Sequence, residues 1–162
     1  MLKPSKKPIR QTVILCLVTL LITFPKYGGF MLGFVFLFLM PSLLKSLYFI
    51  FIKNKEKKQR SIQTLLWAIT CSTSIIHHVY LYKTTQAFAE QVSNAVIMFY
   101  QKNGAYPESY ETLGFDEQTM KKHGLYYSYK DQKPFLFYPA TWIVNDVYMF
   151  DFKNQKWVYQ AS

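Results

Sequence analysis

Three apolar segments, separated by clusters of basic residues, limit what this chain can fold into more than any other feature. They cover about residues 9–27, 30–52 and 62–82. A helix of about 20 residues crosses the hydrocarbon core of a bilayer. The second and third segments reach this length, and the first reaches it once its interfacial residues are included. The pattern predicts three transmembrane helices within residues 1–82, with the lipid bilayer as a partner.

The basic residues lie beside these segments and not over the whole chain. Residues 1–82 contain eleven Lys or Arg and one acid, Glu56, whereas residues 83–162 contain eight Lys and eight Asp or Glu. Short segments rich in Lys and Arg stay on the cytoplasmic side of a membrane. The N-terminus and the loop 53–61 are therefore predicted to be cytoplasmic, and residues 83–162 to lie on the other side. A second half without net charge also argues against a nucleic-acid partner.

The first apolar segment has a second interpretation, as a cleaved signal peptide. Its basic start and short apolar middle fit that class of segment, but residues 24–29 contain no Ala-x-Ala-like pair for a signal peptidase. We predict a retained helix, and cleavage stays the alternative.

The spacing of thiols and imidazoles in the first half does not indicate a metal or redox site. Cys16 and Cys71 lie within apolar segments, where a thiol packs as a small apolar side chain. His77 and His78 are adjacent, so they project about 100° apart on a helix and do not share a face. We predict no metal, no cofactor, and no disulfide in residues 83–162, which contain no Cys.

The helical pattern continues beyond the third apolar segment. Apolar residues recur at helical spacing up to residue 99, and no Gly or Pro interrupts residues 62–103. Gly104 tolerates the positive φ of a helix end, and Pro107 disfavours the helical region for Tyr106. The sequence predicts one long helix that ends in a structural turn made by Asn103, Gly104, Tyr106 and Pro107.

After Gly124 the apolar period changes to two, which is typical of strands. The predicted strands are 125–129, 135–138, 146–152 and 155–159, and two short helices are predicted before them, at 108–113 and 116–122. Residues 83–162 are therefore predicted to form a small α+β domain. In it the long third helix packs on an antiparallel meander of three or four strands.

The stretch Ala95–Leu113, with Asn-Gly-Ala-Tyr-Pro at 103–107, resembles the type IV pilins and the pseudopilins of type II secretion. In that family a membrane helix continues as an amphipathic helix, ends in an Asn-Gly-x-Tyr-Pro turn, and is followed by a short helix and an antiparallel sheet. The resemblance covers residues 62–162. It implies a bacterial inner-membrane protein with a pilin-like domain, residues 83–162, in the periplasm.

The cleavage motif of a processed pilin is absent before the third helix. The family has a site that is usually Gly before Phe or Met, followed by a Glu five residues into the apolar helix. Residues 59–65 contain neither Gly nor Glu, and two further apolar segments precede them. The resemblance therefore implies the fold without assembly into a filament.

The second half contains no recognisable set of catalytic groups. It has no Cys, no Arg and one His. Its eight acids, among them Asp146 and Asp151, are scattered along the sequence, and each is predicted to be a solvated surface or turn residue. No glycine-rich phosphate loop occurs. We predict that the chain is not an enzyme.

Aromatic residues are concentrated in the second half, and they favour protein binding. Tyrosine combines an apolar body with a polar tip, which suits contact surfaces. Phe residues and Trp157 are expected to fill the core. The predicted partner-binding residues are Tyr126, Tyr127, Tyr129, Tyr138 and Trp142. Tyr127 and Tyr129 share one strand face and Tyr126 the other, so one aromatic face should meet solvent or a partner.

Three functions remain open at this point. The first is a non-enzymatic inner-membrane protein with a periplasmic interaction domain, in one version an immunity-type protein that neutralises an exported toxin. The second is an accessory or minor pilin-like component of a type IV pilus or type II secretion apparatus, docking through the third helix. The third, a small channel or transporter element, is the weakest because helices one and two carry few polar residues beyond Thr, Ser and Lys45.

Overall fold

The computed structural model describes residues 7–53, 57–140 and 145–161. The chain divides into two compact units, Met1–Val79 and Tyr80–Ser162. The helices are α1 (Lys7–Thr23), α2 (Met31–Tyr48), α3 (Lys57–Asn103) and α4 (Glu117–His123). The strands are β1 (Tyr126–Lys130), β2 (Lys133–Pro139), β3 (Val147–Asp151) and β4 (Lys156–Gln160). Short 3-10 turns occur at Gly28–Phe30 and Glu111–Leu113, and a turn of π-helix at Phe49–Lys53.

Polar side chains connect α1 to α3 within the first unit. Near the start of α1, the Gln63 amide nitrogen Nε2 donates to Thr12 Oγ1 over 3.1 Å. Near its end, the Ser74 hydroxyl donates to Thr23 Oγ1 over 2.9 Å, and His78 Nε2 donates to the Thr23 carbonyl oxygen over 2.6 Å. The two helices are therefore held together at both ends of α1 by hydrogen bonds from α3 side chains, two to threonine hydroxyls and one to a backbone carbonyl oxygen.

Most of the residues with buried side chains in the first unit are polar, and many of its large apolar residues are exposed. Its buried polar residues are Thr12, Thr19, Thr23, Ser46, Thr70, Ser74 and His78. Its exposed large apolar residues include Leu21, Leu37, Phe38, Phe51, Leu65 and Ile76. Water-soluble proteins bury apolar side chains preferentially and keep most polar ones at the surface. The distribution in this unit is the reverse.

Among the described residues, the helical stretch Gly28–Phe51 is the one that is long and apolar enough to cross a membrane. It contains α2 and corresponds to the second predicted segment. The apolar part of α1, Ile9–Thr23, is shorter. The third predicted segment lies within α3, where Thr, Ser and His residues lower its mean hydropathy. The prediction of an apolar helix able to span a bilayer is confirmed for the second segment, and the other two spans stay a prediction.

In the second unit, α3 packs one apolar face on a four-stranded antiparallel sheet of order β1-β2-β3-β4. Phe88, Ala89, Val92 and Val96 recur at helical spacing and are buried. They pack with buried residues from α4 and the sheet, namely Met120, Leu125, Leu136, Tyr138 and Phe150. The predicted meander of three or four strands has four, and a long helix packed on an antiparallel sheet is confirmed.

Glycines end the helices of the second unit. The long helix ends at Asn103, as the sequence predicts, and Gly104 follows with a φ of 70°. Helix α4 begins after Asp116, whose carboxylate accepts a hydrogen bond from the Thr119 backbone nitrogen over 2.7 Å, and it ends at Gly124 with a φ of 64°. The helix predicted at 108–113 is reduced to the 3-10 turn, because Gly114 at a φ of 83° ends it at once.

Candidate protein-binding face

The sheet has two faces of different burial, set by the alternation of side chains along each strand. On β2, Leu136 and Tyr138 are buried in the core, whereas Phe135 and Phe137, which alternate with them, are not. We call the side that carries Phe135 and Phe137 the outer face. Because directly paired residues in neighbouring strands share a face, the register of β2 assigns the faces of the other three strands.

Four apolar residues form a continuous row across the outer face, one from each strand. Tyr126 pairs with Phe137, Phe137 with Met149, and Met149 with Val158. Tyr126 is 52% exposed, and its ring stacks on that of Phe137 with centroids 5.2 Å apart and planes 16° from parallel. We call these four residues the outer row. Tyr126 is exposed and the other three residues are half-buried, so the row is partly accessible from outside the sheet.

A groove of about 420 Å³ lies beside the outer row. Phe135, Met149 and Val158 supply apolar lining, and Lys133 and Asp151 add one charge of each sign. Apolar walls with polar groups around them are the usual anatomy of a pocket that holds an anchoring side chain of a partner. The groove therefore adds a concave surface to the outer face.

Two of the predicted partner-binding tyrosines point into the core instead. Tyr138 is 2% exposed and stacks on Tyr148 with ring centroids 5.1 Å apart, so it is not available to a partner. Burial raises its pKa. Tyr127 lies on the same face, and its hydroxyl donates to the Pro107 carbonyl oxygen over 2.6 Å. Burial raises the pKa of Tyr127 to about 12. The register assigns both residues to the core side, because Tyr127 pairs with buried Leu136.

The other predicted contact residues have different positions. Tyr129 is half-buried and follows Tyr127 on the same strand face, as the sequence predicts. Tyr126 is the predicted residue that the structure places on the exposed outer face. Trp142 lies outside the described residues.

The predicted turn after α3 packs against the sheet. The Asn103 side chain donates to the Phe99 carbonyl oxygen over 2.9 Å, and the Gly104 backbone nitrogen donates to the Tyr100 carbonyl oxygen over 2.8 Å. Tyr106 stacks on Tyr100 with centroids 4.3 Å apart. Pro107 is fully buried, and its carbonyl oxygen accepts the Tyr127 hydroxyl hydrogen bond. These contacts make the turn a structural element of the second unit.

Asp146 corrects the prediction that every acid of the second half is solvated. Its side chain is buried and accepts a hydrogen bond from the Tyr159 hydroxyl, and this bond raises the pKa of Tyr159. The Asp146 carbonyl oxygen accepts from the Ala140 backbone nitrogen over 2.8 Å. Asp146 therefore links the β2–β3 connection to the edge strand β4.

The sequence-based list of partner-binding residues does not contain Phe137, Met149 and Val158. The phenylalanines were expected in the core, yet Phe135 is 40% exposed and Phe137 faces outward with it. The period of two in Phe135-Leu-Phe-Tyr138 separates the two faces but does not say which is buried. The core face of β2 is identified by the packing of Leu136 and Tyr138 with residues of α3, which the spacing in β2 does not contain.

Comparison with protein-family models, with curated proteins and with solved structures finds no match for this chain. In the described parts of the chain, no group of three or more His, Cys, Asp or Glu side chains is arranged to hold a metal ion.

Proposed function

We propose that this chain is a membrane-anchored protein whose second unit, on the side of the membrane away from loop 53–61, binds another protein through the outer face of its sheet. The observation that carries the proposal is the outer row, Tyr126, Phe137, Met149 and Val158, which crosses all four strands. The chain acts by binding and not by catalysis.

The inverted polarity of the first unit supports the membrane anchor. Exposed Leu, Phe and Ile side chains are stable against lipid tails. Hydroxyl and imidazole groups would be unstable there, and in this unit they are buried and hydrogen-bonded between α1 and α3. This pattern occurs on α1 and on the first part of α3 as well as on α2. It favours all three predicted spans, with the basic N-terminus and loop 53–61 in the cytoplasm.

The composition of the second unit supports a protein partner. Residues 83–162 carry equal numbers of basic and acidic residues, so the attraction of a partner does not depend on net charge. The outer row and its groove offer aromatic and methionine side chains, which are enriched at protein interfaces. One concrete partner is an exported toxin, with this chain as the immunity-type protein that neutralises it at the inner membrane of the producing cell.

The pilin-like layout favours a second candidate, an accessory component of a type IV pilus or type II secretion apparatus. The long helix α3, the Asn-Gly-Ala-Tyr-Pro turn at 103–107 and the antiparallel sheet support it. In this version docking uses the exposed face of α3, where Met98 is 68% exposed. The two candidates therefore differ in the surface that they use.

Affinity capture with the full-length chain from native membranes tests both candidates. Met149→Ser removes an apolar contact from the outer row, and Met98→Ser removes the same side chain from the exposed face of α3. Tyr126→Ser is a second outer-row variant. If the outer face is the binding surface, Met149→Ser and Tyr126→Ser lose the captured protein and Met98→Ser keeps it.

The opposite result supports the pilus or secretion candidate. If the parent captures pilus or secretion subunits and only Met98→Ser loses them, the binding surface is on α3 and not on the sheet. Equal capture by all three variants would refute the outer face as a docking surface. Circular dichroism of each purified variant separates loss of binding from loss of folding.

A further inference from the structure

One end of the sheet in the second unit carries an excess of basic residues. In an antiparallel sheet of order β1-β2-β3-β4, the β1–β2 and β3–β4 turns lie at the same end. We call residues 130–133 and 151–156 the turn end. Four of the eight lysines of residues 83–162 lie there, against two aspartates. They are Lys130, Lys133, Lys153 and Lys156, and the aspartates are Asp131 and Asp151. The excess of two positive charges holds however these residues pair with one another.

Two of these lysines lie directly opposite each other. Lys130 on β1 pairs with Lys133 on β2, and both are exposed. Like charges directly opposite each other on a sheet are destabilising. Asp131, in the turn between them, supplies one negative charge against their two. An anionic group of a partner that lies over both lysines would offset the remaining repulsion.

The aspartate that lines the groove is bonded within its own turn. Asp151 Oδ1 accepts from the backbone nitrogens of Lys153 over 2.9 Å and Asn154 over 3.1 Å, and Oδ2 accepts from the Asn154 side chain over 2.6 Å. The hydrogen bonds from Asn154 lower the pKa of Asp151. Asp151 also pairs with Lys156 across β3 and β4, which brings an opposite charge beside it. Its carboxylate is therefore a poor contact for a cation of a partner.

The polarity of the outer face changes along the strands. Every charged residue within the four strands lies at the turn end. The outer-face residues toward the other end are uncharged, namely Tyr126, Phe137, Pro139, Val147 and Gln160. The groove connects the two ends, because its lining includes Lys133 at the turn end and Gln160 at the other. A segment that lies along the groove therefore meets basic residues at one end and apolar residues over the rest.

We propose that the outer face binds an acidic segment of its protein partner, with carboxylates over Lys130 and Lys133 and an aliphatic or aromatic side chain in the groove. This inference rests on the proposed function and adds the chemistry of the partner. Complementary charge sets the orientation of the segment along the strands and favours its encounter. A basic segment is rejected, because it brings like charges to the turn end. A bilayer of anionic lipid offers the same charge, but a flat surface does not fill a concave groove.

The test is selection from a random-peptide phage library on the full-length chain in phosphatidylcholine nanodiscs. Peptides that bind the parent and lose binding to Met149→Ser are those that use the outer face. These peptides should contain more Asp and Glu than Lys and Arg, together with Leu, Phe or Trp. One of them, made as a synthetic peptide, is then the probe for measurements of affinity.

Lys133→Glu should lower the affinity for this peptide about three- to tenfold, the size expected when an exposed ionic contact changes from attractive to repulsive. Added salt should reduce the difference. The matched control is Lys102→Glu, which makes the same change at an exposed position near the end of α3 and should stay within about twofold of the parent. A peptide whose acids are replaced by Lys should bind Lys133→Glu more tightly than it binds the parent.

Three results would overturn this inference and leave protein binding by the outer face in place or reassign it. Peptides that depend on Met149 without an excess of acids would exclude an acidic partner. Equal losses in Lys133→Glu and Lys102→Glu would mean general attraction to basic residues. Displacement of the peptide by phosphatidylglycerol vesicles, and not by phosphatidylcholine vesicles, would assign the face to a lipid surface. Selected peptides that bind Met149→Ser as well as the parent would instead refute the outer face itself, and with it the proposed function.

Discussion

At the scale of single residues, neighbours in β2 have opposite environments. Leu136 is fully buried between the sheet and α3, and Phe135 beside it lies on the outer face. The same alternation makes Tyr126 a surface residue and Tyr127 a residue of the core side. Whether a residue of this sheet is buried therefore depends more on its odd or even position along the strand than on its residue type.

Leu136→Ala should destabilise the second unit by about 2–5 kcal/mol, because it removes packed methyl groups and leaves a cavity. Phe135→Ala, the matched control on the outer face, should cost less than half as much, although its side chain is larger. Denaturant unfolding of the full chain, followed by near-ultraviolet circular dichroism, measures both. A larger effect for Phe135→Ala would mean that the two faces are assigned the wrong way round.

Tyr127→Phe should change the response of the protein to alkaline pH. Burial raises the pKa of Tyr127 to about 12 in the folded protein, against an ordinary value of 10.0. Between these values the unfolded chain loses the phenolic proton and the folded chain keeps it, so stability is full below pH 10 and falls as the pH rises toward 12.

The phenylalanine variant should show a shallower fall over that range. At neutral pH it should be less stable by about 0.5–1.5 kcal/mol, since the hydrogen bond to the Pro107 carbonyl oxygen is lost. Thermal unfolding at a series of pH values measures both effects, with Tyr126→Phe on the exposed face as the control for loss of a phenol. A Tyr127→Phe curve as steep as that of the parent would contradict the buried position of this hydroxyl.

At the scale of elements, the helices of the first unit meet through small polar side chains. Ser74 on α3 is fully buried and donates to Thr23 on α1, whereas Ser72 on α3 is exposed. Helices in a membrane associate through such small residues, because lipid supplies no hydrophobic drive for apolar ones. The same serine residue type therefore has two roles within one turn of α3.

Ser74→Leu should destabilise the packing of α1 on α3 by about 1–3 kcal/mol, because a larger side chain is forced into a filled site. Ser72→Leu makes the identical change on the exposed side and should be close to neutral. Loss of helicity on titration of the full chain with sodium dodecyl sulfate measures the difference. If both substitutions have the same small effect on stability, Ser74 is not packed between α1 and α3.

The sequence predicts which helices and strands form more fully than it predicts which of them pack together. The end of α3 follows from Asn103-Gly104, and the change of apolar period after Gly124 predicts the strands. The buried polar contacts of α3 could not be predicted, because Ser, Thr and His within an apolar segment have no periodic signature strong enough to choose a face. The 3-10 turn at Glu111–Leu113 replaces a predicted helix because Gly114 leaves it too short to propagate.

At the scale of the whole molecule, charge and polarity divide the chain in the same place. The division of the chain into two compact units falls between Val79 and Tyr80. The excess of basic residues belongs to residues 1–82, and the balanced charges belong to residues 83–162. The first property underlies the predicted membrane insertion of residues 1–82. The sidedness of the molecule stays a prediction from charge, whereas the burial of each sheet face is seen only in the structure.

The central claim is that the second unit lies across the membrane from loop 53–61. Labelling with a membrane-impermeant maleimide in intact cells tests it most directly, after Cys16 and Cys71 are replaced by Ser. Lys153→Cys and Lys58→Cys place a single thiol at an exposed lysine of each unit. We predict that Lys153→Cys is labelled in intact cells and Lys58→Cys only after the cells are permeabilised. Labelling of Lys58→Cys alone in intact cells, or recovery of the chain in the soluble fraction, would contradict the account.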